Sequence, residues 1–135
     1  MSYPAMKEAG VDVRLGTDGS ASNNSLDLRA EAKAASLVQR PDHWDARVLG
    51  PEQTWDLAPK GSQDWVTWDL SDIRMRPFGR DGRRLLSNLI YSGANVMDVF
   101  VEGEAVRRDG RTLTLDEDKV AGELEESVAD YYQDV

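Results

Sequence analysis

Residues 10–28 read GVDVRLGTDGSASNNSLDL, and this stretch decides the fold. Its first part alternates apolar and charged residues, and this period of two predicts a short strand over 11–15. The loop 16–24 follows, built from glycine and small polar residues that favour turns and helix caps. The stretch therefore predicts a strand that leads through a polar loop towards a helix.

The predicted helix covers about 26–39 and is rich in alanine and other good helix formers. Asn24 or Ser25 is expected as its N-cap, and Pro41 stands just beyond its expected end. Strand, loop and helix together make one βα unit. Beyond it the chain is poorly patterned, with one or two helical turns predicted within 51–58.

Length and composition exclude several classes of protein. A chain of 135 residues is too short for a closed eight-stranded α/β barrel, which needs about 200–250 residues. No membrane span and no signal segment are predicted, so we expect a cytoplasmic protein that does not bind membranes. The absence of cysteine excludes disulfides and thiolate metal ligands, and the single histidine, His43, excludes a site built on two imidazoles.

The net charge is −9, from 16 basic and 25 acidic residues, which argues against nucleic acid as a partner. The last 24 residues carry eight acidic groups and one basic group, so most of the excess is local. We expect this segment to be the solvated face of a terminal helix, and adaptation to high salt is the alternative.

The second half of the chain predicts antiparallel strands. Residues 64–70 and 96–101 are rich in β-forming residues, and a hairpin turn is expected at 102–103. A second turn, at 108–111, is predicted to close this hairpin.

A helix is predicted at the end of the chain. Thr114 and Glu117 have the spacing of a capping box. Val120, Leu124 and Val128 then recur every four residues, which predicts one apolar stripe on an otherwise acidic helix.

The stretch 10–28 closely resembles the eighth-strand segment of the metal-dependent amidohydrolase superfamily, within the branch of the methylthioadenosine/S-adenosylhomocysteine deaminases and triazine chlorohydrolases. Weaker resemblance to later family segments is present at 59–66, 87–92, 99–103 and 108–117. The resemblance covers most of the chain and is to the C-terminal third of a much longer enzyme.

This resemblance implies an α/β fold: the last βα unit of a (β/α)₈ barrel, the C-terminal strands of a small β-sandwich and a terminal acidic helix, with no closed barrel in this chain. Residues 1–58 are expected to be the remnant of the barrel unit. Residues 59–135 are expected to supply the sandwich strands and the helix. The two segments are predicted to form one compact unit rather than two independent domains.

The resemblance also implies a chemistry, namely metal-dependent hydrolysis of C–N bonds (deamination) or C–Cl bonds on purine- or triazine-like rings. Asp18 falls on the family's aspartate after the eighth strand, which serves as metal ligand and proton acceptor. The family's metal is zinc or iron. Its histidine ligands and its catalytic glutamate have no counterpart here, and His43 matches no ligand position. We therefore expect this chain alone to bind no metal and to be inactive.

Three functional classes follow. The first is part of a split enzyme whose partner is an N-terminal amidohydrolase fragment, or a homo-oligomer. The second is a non-catalytic remnant, and the third is an interaction module that docks through its acidic helix or its tryptophan-rich strand.

Other polar and aromatic residues have simpler roles in the same analysis. His43 is expected in a surface loop, and the side chains of residues 20, 22, 23 and 24 are expected to cap the helix rather than to contact a substrate. An arginine at position 14, where relatives have a small residue, indicates that the predicted strand lies outside a closed barrel. The tryptophans Trp44, Trp55, Trp65 and Trp68 are expected to pack between layers of the fold or to form an apolar patch left by missing partner segments. The loop arginines Arg74, Arg76, Arg80, Arg83 and Arg84 are expected to form surface ion pairs.

Overall fold

The computed structural model describes residues 2–58, 63–80 and 82–133, with residues 83 and 133 described by their backbone alone. The fold is mixed α/β with a four-stranded antiparallel sheet, and the described residues contain no closed barrel, as predicted. The chain divides into two compact units. Unit 1 comprises Met1–Lys60 and Leu70–Ala94, and unit 2 comprises Gly61–Asp69 and Asn95–Val135. The predicted boundary between residues 58 and 59 lies at the edge of 59–62, which are outside the described residues.

Unit 1 is helical. Its helices are α1 (Tyr3–Glu8), α2 (Ser20–Asn23), α3 (Leu28–His43), α4 (Pro51–Asp56) and α5 (Gly82–Tyr91), with a 3₁₀ turn at Ile73–Met75. Helices α3, α4 and α5 pack against one another, and the 3₁₀ turn packs against α5. Helix α4 confirms the helical turns predicted within 51–58.

The core of unit 1 combines apolar packing with buried polar links. Tyr3, Leu49 and Leu57 form a buried cluster to which five half-buried apolar residues add, among them Val13 and Leu15. The buried hydroxyl of Ser36 lies 2.8 Å from the carbonyl oxygen of Leu49, to which it donates, and 2.6 Å from the Tyr91 hydroxyl. The buried polar groups of the core are thereby satisfied, which removes most of the cost of burying them.

The strand predicted over 11–15 is wrong, since this segment is extended but forms no sheet ladder. Its backbone makes two bonds to the rest of unit 1, from the Val11 N–H to the Met6 carbonyl oxygen at 3.0 Å and from the Leu15 N–H to the Leu57 carbonyl oxygen at 2.9 Å. Val13 and Leu15 face the core, while Arg14 is exposed and pairs with Asp12 at 3.0 Å. Val13 and Leu15 do alternate with exposed neighbours, but Val11 is exposed, and a strand also needs a neighbouring strand.

The predicted helix over 26–39 exists with different ends. Helix α3 begins after Asp27, whose carboxylate accepts a bond from the Arg29 N–H at 2.9 Å, so neither Asn24 nor Ser25 is the N-cap. The helix runs through Pro41, which lies in its last turn rather than beyond it. The turn closes because the carbonyl of Pro41 still accepts a bond from the Trp44 N–H at 3.2 Å.

A loop was predicted around the arginines, and this prediction is wrong in part. Residues 82–91 form α5, and 73–75 form the 3₁₀ turn, while Arg76 and Arg80 lie in the irregular segment between them. Within α5, Leu85, Leu89 and Ile90 have helical spacing, and the last two are buried. The charge-rich beginning of this segment hid the apolar spacing that follows it.

Unit 2 contains the sheet, whose strands β1 (Trp65–Trp68), β2 (Val96–Val101), β3 (Glu104–Arg108) and β4 (Arg111–Thr112) are antiparallel neighbours in that order. Both predicted turns are confirmed. Glu102 and Gly103 both have positive φ, at 53° and 85°, as two-residue hairpin turns of the I′ type require. The turn between β3 and β4 likewise has two residues with positive φ.

A carboxylate inside the sheet joins three of its parts. Asp98 on β2 accepts a bond from the Thr67 hydroxyl of β1 at 2.8 Å and another from the backbone N–H of Asp109, in the β3–β4 turn, at 3.0 Å. These two bonds, first that from Asp109 and then that from Thr67, lower the pKa of Asp98. The ionised carboxylate therefore fixes the positions of β1 and of the distant turn relative to β2.

The terminal helix is α6 (Glu117–Gln133), and its predicted existence is confirmed. Its predicted capping box is wrong. The carboxylate of Asp116 caps it, accepting a bond from the Lys119 N–H at 3.1 Å, while Glu117 turns towards the sheet and accepts bonds from the Thr112 hydroxyl and, at 3.0 Å, from Arg107. These bonds lower the pKa of Glu117, that from Thr112 contributing most.

No helix within the described ranges is long and apolar enough to cross a membrane.

Candidate functional site

The candidate site is the loop that carries Asp18. Asp18 has a φ of 57°, in the left-handed region that aspartate tolerates better than most residues. One carboxylate oxygen accepts the Gly19 N–H at 2.8 Å, and the other accepts the Ser22 hydroxyl at 3.1 Å. Both carboxylate oxygens are thus oriented by the first residues of the short helix α2, and the side chain remains exposed.

The rest of the loop is braced by a second set of bonds. The Asn23 amide donates to the Thr17 carbonyl oxygen at 3.0 Å and to the Glu31 carboxylate at 2.6 Å. Asn24 ends α2 in a left-handed conformation, with its N–H bonded to the Ser20 carbonyl oxygen at 2.8 Å. The side chains of Ser22 and Asn23 therefore brace the loop and link it to Glu31. The predicted helix-capping role of residues 20, 22, 23 and 24 is wrong, because Asp27 caps α3 and no side chain caps α2.

Glu31 is the residue of this site that the sequence analysis missed. It lies in the first turn of α3 and holds Asn23 from eight positions along the chain. An i, i+8 contact across a loop belongs to no local motif, so only the folded loop reveals it. Glu31 is a positioning residue, since it acts on the Asp18 loop through Asn23.

The described residues contain no group of three or more His, Asp or Glu side chains arranged to hold a metal. The surface loop predicted for His43 is wrong, because this residue lies in the last turn of α3. Its side chain is half-buried, and its Nε2 atom lies 3.0 Å from the Ser2 hydroxyl. A catalytic zinc site uses about three protein ligands. One carboxylate already engaged by Gly19 and Ser22 does not meet that requirement, so the residues present do not fit a metal.

The other candidate residues lie apart from this loop in sequence and make structural contacts. Arg74 pairs with Asp72 at 2.5 Å, which confirms the surface pairing predicted for this arginine, and the Arg76 guanidinium lies 4.6 Å from the Phe78 ring centre. Asp81 and the side chain of Arg83 lie outside the described residues. Arg74 thus contacts a carboxylate and Arg76 an aromatic ring, so neither contact forms part of an anion site.

The described tryptophans differ in their surroundings. Trp65 on β1 stacks on Phe100 of β2 with ring centres 3.8 Å apart, and it remains half exposed. Trp44, at the end of α3, is 97% exposed. Trp65 therefore packs against a residue of its own sheet, and packing between layers stays a prediction.

Comparison with known proteins identifies relatives that are much longer than this chain. No protein-family model matches it. The 5-methylthioadenosine/S-adenosylhomocysteine deaminase of Bacillus thuringiensis (strain Al Hakam) is 35% identical over 86% of this chain, and that of Bacillus cytotoxicus is 34% identical over the same share. In each case the match covers 30% of the relative, so the chain spans about a third of the length of the curated relatives that it matches.

Two solved structures share the fold. A zinc-bound adenosine deaminase from Xanthomonas campestris has a TM-score of 0.80 and 26% identity, over 97% of this chain and 33% of its own. An amidohydrolase from a Sargasso Sea environmental sample has a TM-score of 0.68 and 23% identity, over 99% of this chain and 34% of its own, and shows the fold alone.

Proposed function

Because this chain corresponds in sequence and fold to the C-terminal part of amidohydrolase-superfamily proteins, we propose that it supplies one segment of a hydrolytic site that a separate N-terminal amidohydrolase segment completes. The observation that carries this proposal is the Asp18 loop, in which two bonds orient the carboxylate and two more brace the loop. A carboxylate fixed in this way is suited to accept a proton from an attacking water.

The proposed reaction is hydrolytic deamination of a purine-like ring. Relatives that are about 35% identical are named as deaminases of 5-methylthioadenosine and S-adenosylhomocysteine, and a solved neighbour is named as an adenosine deaminase. These names favour C–N over C–Cl cleavage, which rests on the resemblance in the 10–28 stretch alone. Zinc or iron is the family's metal, but one carboxylate cannot hold it, so we propose that the chain alone is inactive and binds none.

The partner that completes the site in this proposal is an N-terminal amidohydrolase fragment. Self-association into a homo-oligomer would supply only further copies of Asp18 and His43 and no catalytic set of histidines. We place the assembled enzyme in the cytoplasm and expect it to bind neither nucleic acid nor membranes, in keeping with the acidic composition.

The test is complementation. The chain is mixed with the N-terminal part of the Bacillus thuringiensis deaminase, ending where the similarity to this chain begins, and ammonia release from 5-methylthioadenosine is measured. We expect activity from the mixture and none from either part. Asp18→Asn should lower the rate by about 100- to 10,000-fold. Asp12→Asn, an exposed carboxylate in the same segment, is the matched control and should leave it unchanged.

Two outcomes would contradict the proposal. Turnover by the isolated chain would show that it is complete without a partner, and an Asp18→Asn mixture as active as wild type would remove Asp18 from the site. A mixture that forms a stable complex but releases no ammonia would favour the non-catalytic remnant.

A second function, an interaction module, is favoured by one observation. All described side chains of α6 are exposed, although the helix is amphipathic. A helix in this condition is typical of a docking element whose partner is absent.

A further inference from the structure

Helix α6 has an apolar face that nothing in the described part of the chain covers. Val120, Leu124, Val128 and Tyr131 lie within about 80° of one another around the helix, at 3.6 residues per turn, and each is between 46 and 68% exposed. The bonds of Asp116 and Glu117 hold only the first turn. Along the rest of its length, no described helix or strand packs against α6.

An uncovered helix of this length is not self-sufficient. Isolated helices of about 15 residues are marginal in water, and helices in proteins are stabilised mainly by packing of their apolar face. Gly122 in the middle of α6 weakens its intrinsic propensity further. The apolar stripe is therefore the part of α6 that a partner would have to cover.

The charges beside the stripe identify the chemistry of that partner. Glu123 and Glu125 are the neighbours of Leu124 and lie about 100° to either side of it, so both flanks of the stripe are acidic. Asp130 adds to the first flank. The one basic residue of the helix, Lys119, pairs with Glu123 at 3.6 Å, on the same flank.

A second copy of α6 is a poor occupant, because it would align acidic flanks against acidic flanks. A helix with the same kind of stripe but flanked by Lys or Arg would place opposite charges on both sides of the apolar contact, as in paired amphipathic helices. Unit 2, to which α6 belongs, carries fourteen acidic and four basic residues, so its field attracts a basic partner over a longer range.

We propose that the stripe of α6 is a docking face for a basic amphipathic helix of another protein. The apolar contact supplies the affinity, and the acidic flanks select the partner and reject a second copy. This inference rests on the second function proposed above, the interaction module, and it uses no residue of the Asp18 loop.

The test uses the full chain and three synthetic peptides. The first has the sequence of α6 with every Asp and Glu replaced by Lys, which keeps the stripe and inverts the charge. The second has the unchanged α6 sequence and represents a second copy. The third is a shuffled form of the first, with equal charge and no stripe. Binding is measured by fluorescence anisotropy at low and high salt.

We expect the first peptide to bind and its affinity to fall with added salt. Leu124→Asp in the chain should weaken its binding by about tenfold or more, since one charge in an apolar contact costs more than about 1.4 kcal/mol, a factor of ten. Ala129→Asp, which adds the same charge about 140° away from Leu124 around the helix, is the matched control and should change binding little.

Several results would overturn the inference. Equal binding of the shuffled peptide would show attraction by charge alone, and binding of the unchanged α6 peptide, or a dimer in sedimentation that Leu124→Asp dissolves, would make a second copy the occupant. Equal weakening by the two substitutions would remove the stripe from the contact, and failure of all three peptides to bind would remove the docking face itself.

Discussion

All the fully buried side chains among the described residues lie in unit 1, whereas the sheet and helix of unit 2 contain none. Charge divides the same way, because unit 1 has twelve basic and eleven acidic residues and unit 2 has four and fourteen. Unit 1 is held by a core with satisfied polar groups. Unit 2 is held by its strand ladder, by Asp98 and by bonds at the start of α6, and its described apolar side chains are at most partly buried.

This chain corresponds to about one third of its longer relatives, and its buried core is not shared equally between its two units. The helices of unit 1 include enough of their own neighbours to form a core, while the sheet of unit 2 has one layer where a sandwich has two. Stability measurements on matched substitutions in the two units test this comparison directly.

The largest difference is expected between two leucine truncations. Leu49 is 1% exposed in the core of unit 1, and Leu124 is 64% exposed on α6. Leu49→Ala should lower the free energy of unfolding by about 2–5 kcal/mol, because it removes buried apolar contacts and leaves a cavity. Leu124→Ala should change it by less than about 0.5 kcal/mol. Urea denaturation followed by circular dichroism measures both, and equal effects would show that unit 2 has a core as well.

A smaller effect is expected from a tyrosine hydroxyl. The Tyr91 hydroxyl bonds to the buried Ser36 and to Arg40, linking α5 to α3. Tyr91→Phe should cost about 1–2 kcal/mol in the free energy of unfolding, because two polar partners lose a bond. Tyr132→Phe on exposed α6 is the matched control and should be neutral. A neutral Tyr91→Phe would show that the link adds nothing to the core.

Within unit 2, one aromatic pair is stacked across two neighbouring strands of the sheet. Trp65 and Phe100 lie 3.8 Å apart between ring centres. A double-mutant cycle with Trp65→Leu and Phe100→Leu should give a coupling of about 0.5–1.5 kcal/mol. Additive single effects would mean that the rings are only neighbours. In that case the hydrogen bonds would be the contacts that stabilise the sheet.

The smallest effect concerns pH at the start of α6. The pKa of Glu117 is below its usual value of 4.5, so the carboxylate favours the attached helix above that pH, and this contribution is lost as the pH falls through the lowered pKa. The protection factors of the first α6 amides, which compare their exchange with the intrinsic rate at each pH, should therefore fall below about pH 4.5. Glu117→Gln should abolish this pH dependence and Glu125→Gln should not, whereas a dependence that survives Glu117→Gln would assign it to another group.

The elements predicted correctly are those whose signals are local. The turn at 102–103 and the helical turns after Pro51 depend on residues within a few positions of one another, and the structure confirms both. The strand over 11–15 failed because a strand is defined by a partner, which no local pattern reveals. Helix α5 was missed because the arginines at its beginning were interpreted by composition rather than by the spacing of the leucines after them.

The candidate site divides in the same way. Asp18 could be proposed from the sequence because the 10–28 stretch resembles a family segment, and its bonds to Gly19 and Ser22 lie within four residues. Glu31 could not, since its contact with Asn23 depends on how α3 returns past the loop. Family resemblance identified the carboxylate, and only the fold identified the residue that positions the loop around it.

The bonds of Asp98 affect how the sheet of unit 2 would bind a partner. The Asp98 carboxylate bonds to β1 and to the β3–β4 turn, so contacts within unit 2 itself hold the sheet in this arrangement. A partner that docks on a preformed surface loses little conformational entropy in ordering it. Association can then proceed as rigid-body docking, limited by diffusion and orientation rather than by a folding step.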